Sequence, residues 1–201
     1  MEITKIDGFK SIGKHKKKNQ IILTHTSRNL NDYILSLKFR FNGKFQRIPH
    51  YIVDREGLVY QLIPNNEYTK FFTDENLNKN SIIVSLENYG WLEKEPLNNQ
   101  YVNWIGDIYK GEVYEKKWRD YFFWHPYTKE QITSTALLCV KLSEEVSIKK
   151  NFVGHNTKIN GIEKFEGVVT RSNYESDATD VSPSFNFELF TKTIENEQLT
   201  R

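Results

Sequence analysis

The run Gln20-Ile21-Ile22-Leu23, apolar until Thr24 and His25, is followed at once by Leu30, Ile34, Leu37 and Phe41 at helical spacing. That succession constrains the fold more than any other feature. A short apolar run of period two followed by a stripe of period 3.6 is the strand-then-helix unit of an α/β protein, since each element has one face to bury against the other. Asn42-Gly43 supplies the stop expected after such a helix. His25 then emerges at the strand's C-terminal end.

Further along, His50-Tyr51-Ile52-Val53-Asp54, Arg55-Glu56-Gly57 and Leu58-Val59-Tyr60-Gln61-Leu62-Ile63 read as a hairpin, with Gly57 able to take a positive φ in the turn. Residues 81–87 read as another strand, with Ile82, Val84 and Leu86 on one face and Ser85 and Glu87 on the other. Periodicity fails over residues 88–127, which hold Trp91, Trp104, Trp118 and Trp124; short helices and a groove wall are expected there. Thr128-Lys129-Glu130-Gln131 is a capping-box pattern opening a long helix to about Lys149, with Ile132, Ala136, Cys139, Leu142 and Val146 as its apolar stripe. Phe152-Val153 resumes strand character and delivers His155. A Gly-punctuated insertion, the segment Val168-Val169-Thr170-Arg171, a loop carrying Asp180 and a terminal helix over residues 187–194 complete the chain.

Composition narrows the class. At 201 residues the chain suits one domain, since domains usually hold about 100 to 200 residues, and 38% hydrophobic with 27% charged residues describes a globular protein. The expected organisation is a basic N-terminal segment at 1–19, one α/β domain at 20–194 with an aromatic-rich insertion, and a polar tail at 195–201. A formal net charge of +2 is too small to imply a nucleic-acid partner. The run Lys14-His15-Lys16-Lys17-Lys18 reads as a solvated loop. Cys139 is the only cysteine, so no internal disulfide can form, and its helical position suits a core thiol. Residues 1–8 carry acidic groups and lack the apolar stretch of a secretory signal, and no run is long enough to cross a bilayer. Cytoplasmic synthesis, no membrane insertion and a monomer are expected.

Three residues at the ends of these elements, His25, His155 and Asp180, have the chemistry of zinc ligands. Three protein donors leave a fourth tetrahedral position for water, as in a catalytic site. Taken alone they also read as ordinary strand-end polar groups. In order, however, Leu23-Thr24-His25-Thr26-Ser27, the hairpin at residues 49–60, the strand at 81–88, Val153-Gly154-His155 and Thr179-Asp180-Val181-Ser182-Pro183-Ser184-Phe185 resemble the zinc-dependent N-acetylmuramoyl-L-alanine amidases, the family of phage lysozyme-type amidases, peptidoglycan recognition proteins and muramyl amidases of wall recycling. The resemblance covers most of residues 20–190. It implies a central mixed sheet flanked by helices, a zinc cleft with His25, His155 and Asp180 as ligands, and peptidoglycan or a muropeptide as substrate.

Three departures accompany the resemblance. The family keeps its second histidine closer to the third ligand than His155 is to Asp180. An alternative alignment sets Thr170 at the histidine position; it is set aside because threonine is a poor zinc ligand and Gly154-His155 suits a strand end. The family's catalytic glutamate falls at Ser85, which leaves Glu87 as the expected base, and its lysine falls at Ala178, which leaves Arg171 (or Lys158) as the expected oxyanion stabiliser. His50 is a candidate to orient a ligating imidazole or to donate a hydrogen bond to substrate, or else a structural histidine; His15 and His125 are expected to be non-catalytic. The expected function is zinc-dependent hydrolysis of the N-acetylmuramoyl-L-alanine amide by a lysin or a recycling enzyme, acting on the wall if released. A recognition module with the same fold and no hydrolysis is the alternative, and a toxin aimed at a competitor's wall is a third reading.

Overall fold

The computed structural model describes residues 1–199. Strand β1 (Ile3–Lys5) and strand β2 (Gly13–Lys14) come from the N-terminal segment, followed by β3 (Gln20–His25) and helix α1 (Leu30–Phe39). The hairpin is β4 (Tyr51–Val53) with β5 (Val59–Gln61); β6 (Glu67–Tyr68), α2 (Glu75–Asn80) and β7 (Ser81–Leu86) come next. The main sheet has the order β1-β5-β4-β7-β3 and then the late strand β13 (Gly167–Thr170). Strands β4, β7, β3 and β13 run parallel, while β5 is antiparallel to β4. This is a mixed sheet in one α/β domain.

Its central strands are hydrophobic on both faces, as a sheet covered on both sides requires. Ile21, Leu23, Ile82, Val84 and Val168 pack on one side against Ile132, Ala136 and Cys139 of α3 (Lys129–Val146) and Phe190 and Ile194 of α5 (Phe187–Leu199). On the other, Ile22, Ile83 and Val169 meet Phe72 and Ile162, and Ile52 meets Leu37 of α1. Each such side chain stabilises the fold by about 1.5–3 kcal/mol. Cys139 lies in this core with burial pushing its thiol pKa up, as expected of a packing thiol. Thr128 caps α3 by accepting from the Gln131 amide at 3.1 Å. The hairpin turns through Gly57 at φ 84°, where a Cβ would sit 2.6 Å from Ser134 Oγ on α3.

Four expectations are corrected. The N-terminal segment is part of the domain, because β1 extends the sheet beside β5 and β2 pairs with β6. Lys18 is buried there, its Nζ donating to the carbonyls of Glu67 at 2.9 Å and Lys79 at 2.8 Å, and burial lowers its pKa to about 8. Residues 88–127 form an antiparallel sheet: β8 (Trp91–Lys94), β9 (Tyr101–Val102), β10 (Ile108–Tyr109), β11 (Tyr114–Trp118) and β12 (Tyr121–Trp124), in the order β10-β9-β8-β12-β11. Aromatic residues favour a pleated surface, and its short, bulged strands left no clear alternation to read. Phe152 makes only an isolated bridge to Val168, so β13 and not the Phe152-Val153 segment lies beside β3. Helix α5 continues to Leu199, into the stretch expected to be a polar tail, the rest of which lies outside the described residues. Among the described residues no helix is long and apolar enough to cross a membrane.

Candidate active site

Parallel strands present their C-terminal ends on one edge, where ligands bind in open α/β sheets. Here that edge gathers His25 from β3, Ser85 and Glu87 from the end of β7, and Thr170 from β13, where the short helix α4 (Arg171–Tyr174) begins. A cleft of about 370 Å³ opens above it, lined by His25, Arg171 and Thr179, by Tyr33 of α1, and by Tyr89, Trp91 and Trp104 of the aromatic region. Trp104 ties the two sheets together: its Nε1 donates to the Ser27 carbonyl at 2.6 Å, and the Arg28 guanidinium lies 4.7 Å from its ring. Trp91 stacks on Tyr121, while Trp124 is fully buried and serves the core. Arg28, Arg40, Arg47 and Arg171 all line the cleft, and no carboxylate is among its lining residues.

His25 is held from two sides. Its Nδ1 lies 3.3 Å from the Asn88 carbonyl, and Gly90, at φ 81°, packs so closely that a Cβ there would lie 2.5 Å from His25 Cε1. Burial lowers its pKa below the usual histidine value, with the Asp180 charge and the Asn88 carbonyl opposing and Arg171 adding to the effect. Asp180 is buried, and its backbone carbonyl accepts from the Ser172 amide at 2.9 Å and the Ser172 hydroxyl at 2.7 Å. The carboxylate faces Arg171, whose Nη1 is 3.5 Å from Oδ1; Nη2 and Nε of the same guanidinium meet Glu175 Oε2 at 2.7 and 2.8 Å. Burial opposes the Arg171 charge, and the carboxylates of Asp180 and Glu175 outweigh it, so the pKa is raised.

The three expected metal ligands are not brought together. His25 and Asp180 share an electrostatic environment, but His155 is exposed on a loop, its Nδ1 accepting from the Thr157 amide at 3.2 Å. Asn173 fixes that loop by donating to the carbonyls of His155 at 2.9 Å and Thr157 at 2.8 Å. The position beside β3 belongs to Thr170, in register with Leu23 and fully buried, its hydroxyl 3.0 Å from Asn173 Oδ1. Among the described residues no group of three His, Cys, Asp or Glu is placed to hold a metal ion. Two donors and a fixed guanidinium do not fit a three-ligand zinc site.

Glu87 opens onto a neighbouring cavity with Arg55, Tyr109 and His125 and does not line the His25 cleft. Burial raises its pKa, while the backbone amides of Leu30 and Arg55 favour the charged form. At the glutamate position of the resemblance, Ser85 bonds Thr24 Oγ1 at 2.7 Å and interacts with Tyr33, whose pKa burial raises to about 12. Ala178 is buried and brings no charge. His50 is structural: Nδ1 accepts from the Ile83 amide at 3.1 Å and Nε2 donates to the Glu67 carbonyl at 3.0 Å. Sequence reasoning missed Tyr33 and the arginines at 28, 40 and 47. For the strand end, the β-branched run Val168-Val169-Thr170 was the available signal.

A family model described as N-acetylmuramoyl-L-alanine amidase matches residues 14–166, ending before Thr170, Arg171 and Asp180. No curated protein matches. Among solved structures, the N-acetylmuramoyl-L-alanine amidase LysC from Clostridium intestinale is 13% identical with a TM-score of 0.55, the match covering 97% of this chain and 98% of that one. AmiD from E. coli, in complex with anhydro-N-acetylmuramic acid-L-Ala-D-γ-Glu-L-Lys, is 16% identical at 0.54, covering 92% and 60%. Staphylococcus aureus AmiA with its ligand is 12% identical at 0.53, covering 98% and 85%. At such identities the likeness is one of fold.

Proposed function

Because the chain belongs to the N-acetylmuramoyl-L-alanine amidase family, whose reaction is hydrolysis of the bond between the muramoyl lactyl group and L-alanine, we propose that its cleft receives that segment of peptidoglycan. The carrying observation is the meeting of His25, Arg171 and the aromatic wall in one cleft at the strand ends. Tyr89, Trp91 and Trp104 offer large, weakly polar faces suited to sugar rings. The arginines suit the carboxylates of a stem peptide.

Zinc dependence is general in this family, and here the donors do not fit the ion. This chain's own groups offer two contributions to amide hydrolysis. Burial favours the uncharged imidazole of His25, which can accept a proton from water and return it to the leaving amine. The Arg171 guanidinium, held by Asp180 and Glu175, lines the same cleft and can place positive charge near the oxyanion of the tetrahedral intermediate. Recognition of the same segment without cleavage is the second reading, favoured by Ser85 and Ala178 standing where the resemblance implies a base and an oxyanion stabiliser, and by Thr170 holding the place beside β3 expected of His155.

The test is incubation with purified peptidoglycan and with a muramoyl tripeptide, following both retention of protein on the wall and appearance of free L-alanine amine. Amine release lost in His25→Ala supports hydrolysis. Retention without release supports recognition alone. Neither retention nor release refutes the assignment of this cleft.

A further inference from the structure

We infer that Arg171, and not a metal ion, is the cation that closes the His25 and Asp180 pair. This rests on the family assignment only for which strand ends correspond. Leu23, His25, Val168 and Thr170 fall on one face of two adjacent parallel strands, the face that packs on α3 and α5, so the last β13 position on that face, Thr170 in register with Leu23, is where a third donor near His25 would come from. Threonine stands there, and its hydroxyl is engaged with Asn173. The alternative donor, His155, has its backbone clamped by the same Asn173 and its ring outside the cleft.

The charge balance is already complete without an ion. Asp180 has a side-chain exposure of 3%, and a carboxylate so buried needs a partner. Arg171 supplies it through Nη1, while its other two nitrogens are locked on Glu175. A divalent ion on Asp180 would lie within a few ångströms of that guanidinium and be repelled by it. Asn173 therefore acts twice, engaging Thr170 and holding the His155 loop, and Arg171 occupies the electrostatic role that a metal fills where three donors meet.

The experiment is zinc content by elemental analysis after incubation of the full chain with excess zinc chloride and buffer exchange, with no substrate present. Wild type is expected to retain less than about 0.1 zinc per chain, and the double variant Thr170→His/Arg171→Ala about one, as a tetrahedral site with three protein donors would. A further His25→Ala change in that background is expected to remove it. Retention of about one zinc by wild type, lost in His25→Ala or His155→Ala, overturns the inference. So does a double variant that stays zinc-free while circular dichroism shows it folded. Thr170→His alone, with Arg171 still in place, is expected to bind at least about tenfold less zinc than the double variant; equal binding overturns the role of Arg171. Should the double variant not fold, the wild-type measurement and the single variant decide. Wall binding and amine release are read separately, so zinc results leave the cleft assignment intact.

Discussion

His50 and His125 each use Nδ1 as an acceptor, from the amides of Ile83 at 3.1 Å and Tyr89 at 3.0 Å, and a protonated ring would turn an N–H against each of those donors. Burial, with smaller contributions from Lys18 for one and Arg55 for the other, lowers both pKa values from about 6.5 to about 3. The unfolded chain then binds more protons in acid, so stability is fully present above about pH 6.5 and lost as pH falls toward 3. Between pH 6.5 and 5 the two rings together are expected to cost roughly 2–4 kcal/mol, read as a falling urea midpoint. NMR titration of either ring near pH 6.5 would refute it. At the cleft, Gly90→Ala combines an unfavourable φ of 81° with a Cβ 2.5 Å from the His25 ring. A loss of about 1–3 kcal/mol and a shifted His25 ring resonance are expected. His25 and Asp180 were legible from short motifs because each ends or follows a recognisable run. His155 misled because Gly154-His155 imitates a strand end, whereas Gly154 has φ 78° and belongs to a loop.

Among the elements, the hairpin and α3 are joined at Gly57 and Gln131. Gln131 Nε2 donates to the carbonyls of Val53 and Glu87, both at 3.0 Å, fixing the helix to the ends of β4 and β7. Gly57→Ala, with φ 84° and Glu130 O only 2.9 Å from the added carbon, is expected to loosen that joint by about 1–3 kcal/mol without abolishing the sheet. Chemical denaturation measures the loss, and hydrogen exchange faster in β4 and α3 than in β3 locates it. Strand β3, the hairpin, β7 and α3 were readable because their apolar periodicities are long or sharply bounded. The aromatic sheet was not: β9 and β10 span two residues each, and β11 is bulged, so no segment repeats long enough to announce a period.

For the molecule as a whole, charge is distributed unevenly although the net is only +2. Four arginines line the cleft; Arg171 is balanced by Asp180 and Glu175, and Arg28, Arg40 and Arg47 supply the charge by which an anionic muropeptide should be drawn in. Its binding is expected to weaken by about tenfold between 50 and 500 mM salt, and Arg47→Glu to reduce both the affinity and that salt dependence. Titration calorimetry at the two salt concentrations tests this; salt-independent binding would assign affinity to the aromatic wall. Composition could not reveal the clustering, because Arg28 and Arg40 flank α1, Arg47 follows in a loop and Arg171 opens α4, and only the fold brings them to one cleft. The cleft wall itself comes from a second sheet fastened to the first through Trp104 and the Ser27 carbonyl. Mutational drift at Tyr89 and Trp91 of that appended panel can therefore reshape the wall of the proposed cleft while the register of β3, β7 and β13 stays untouched.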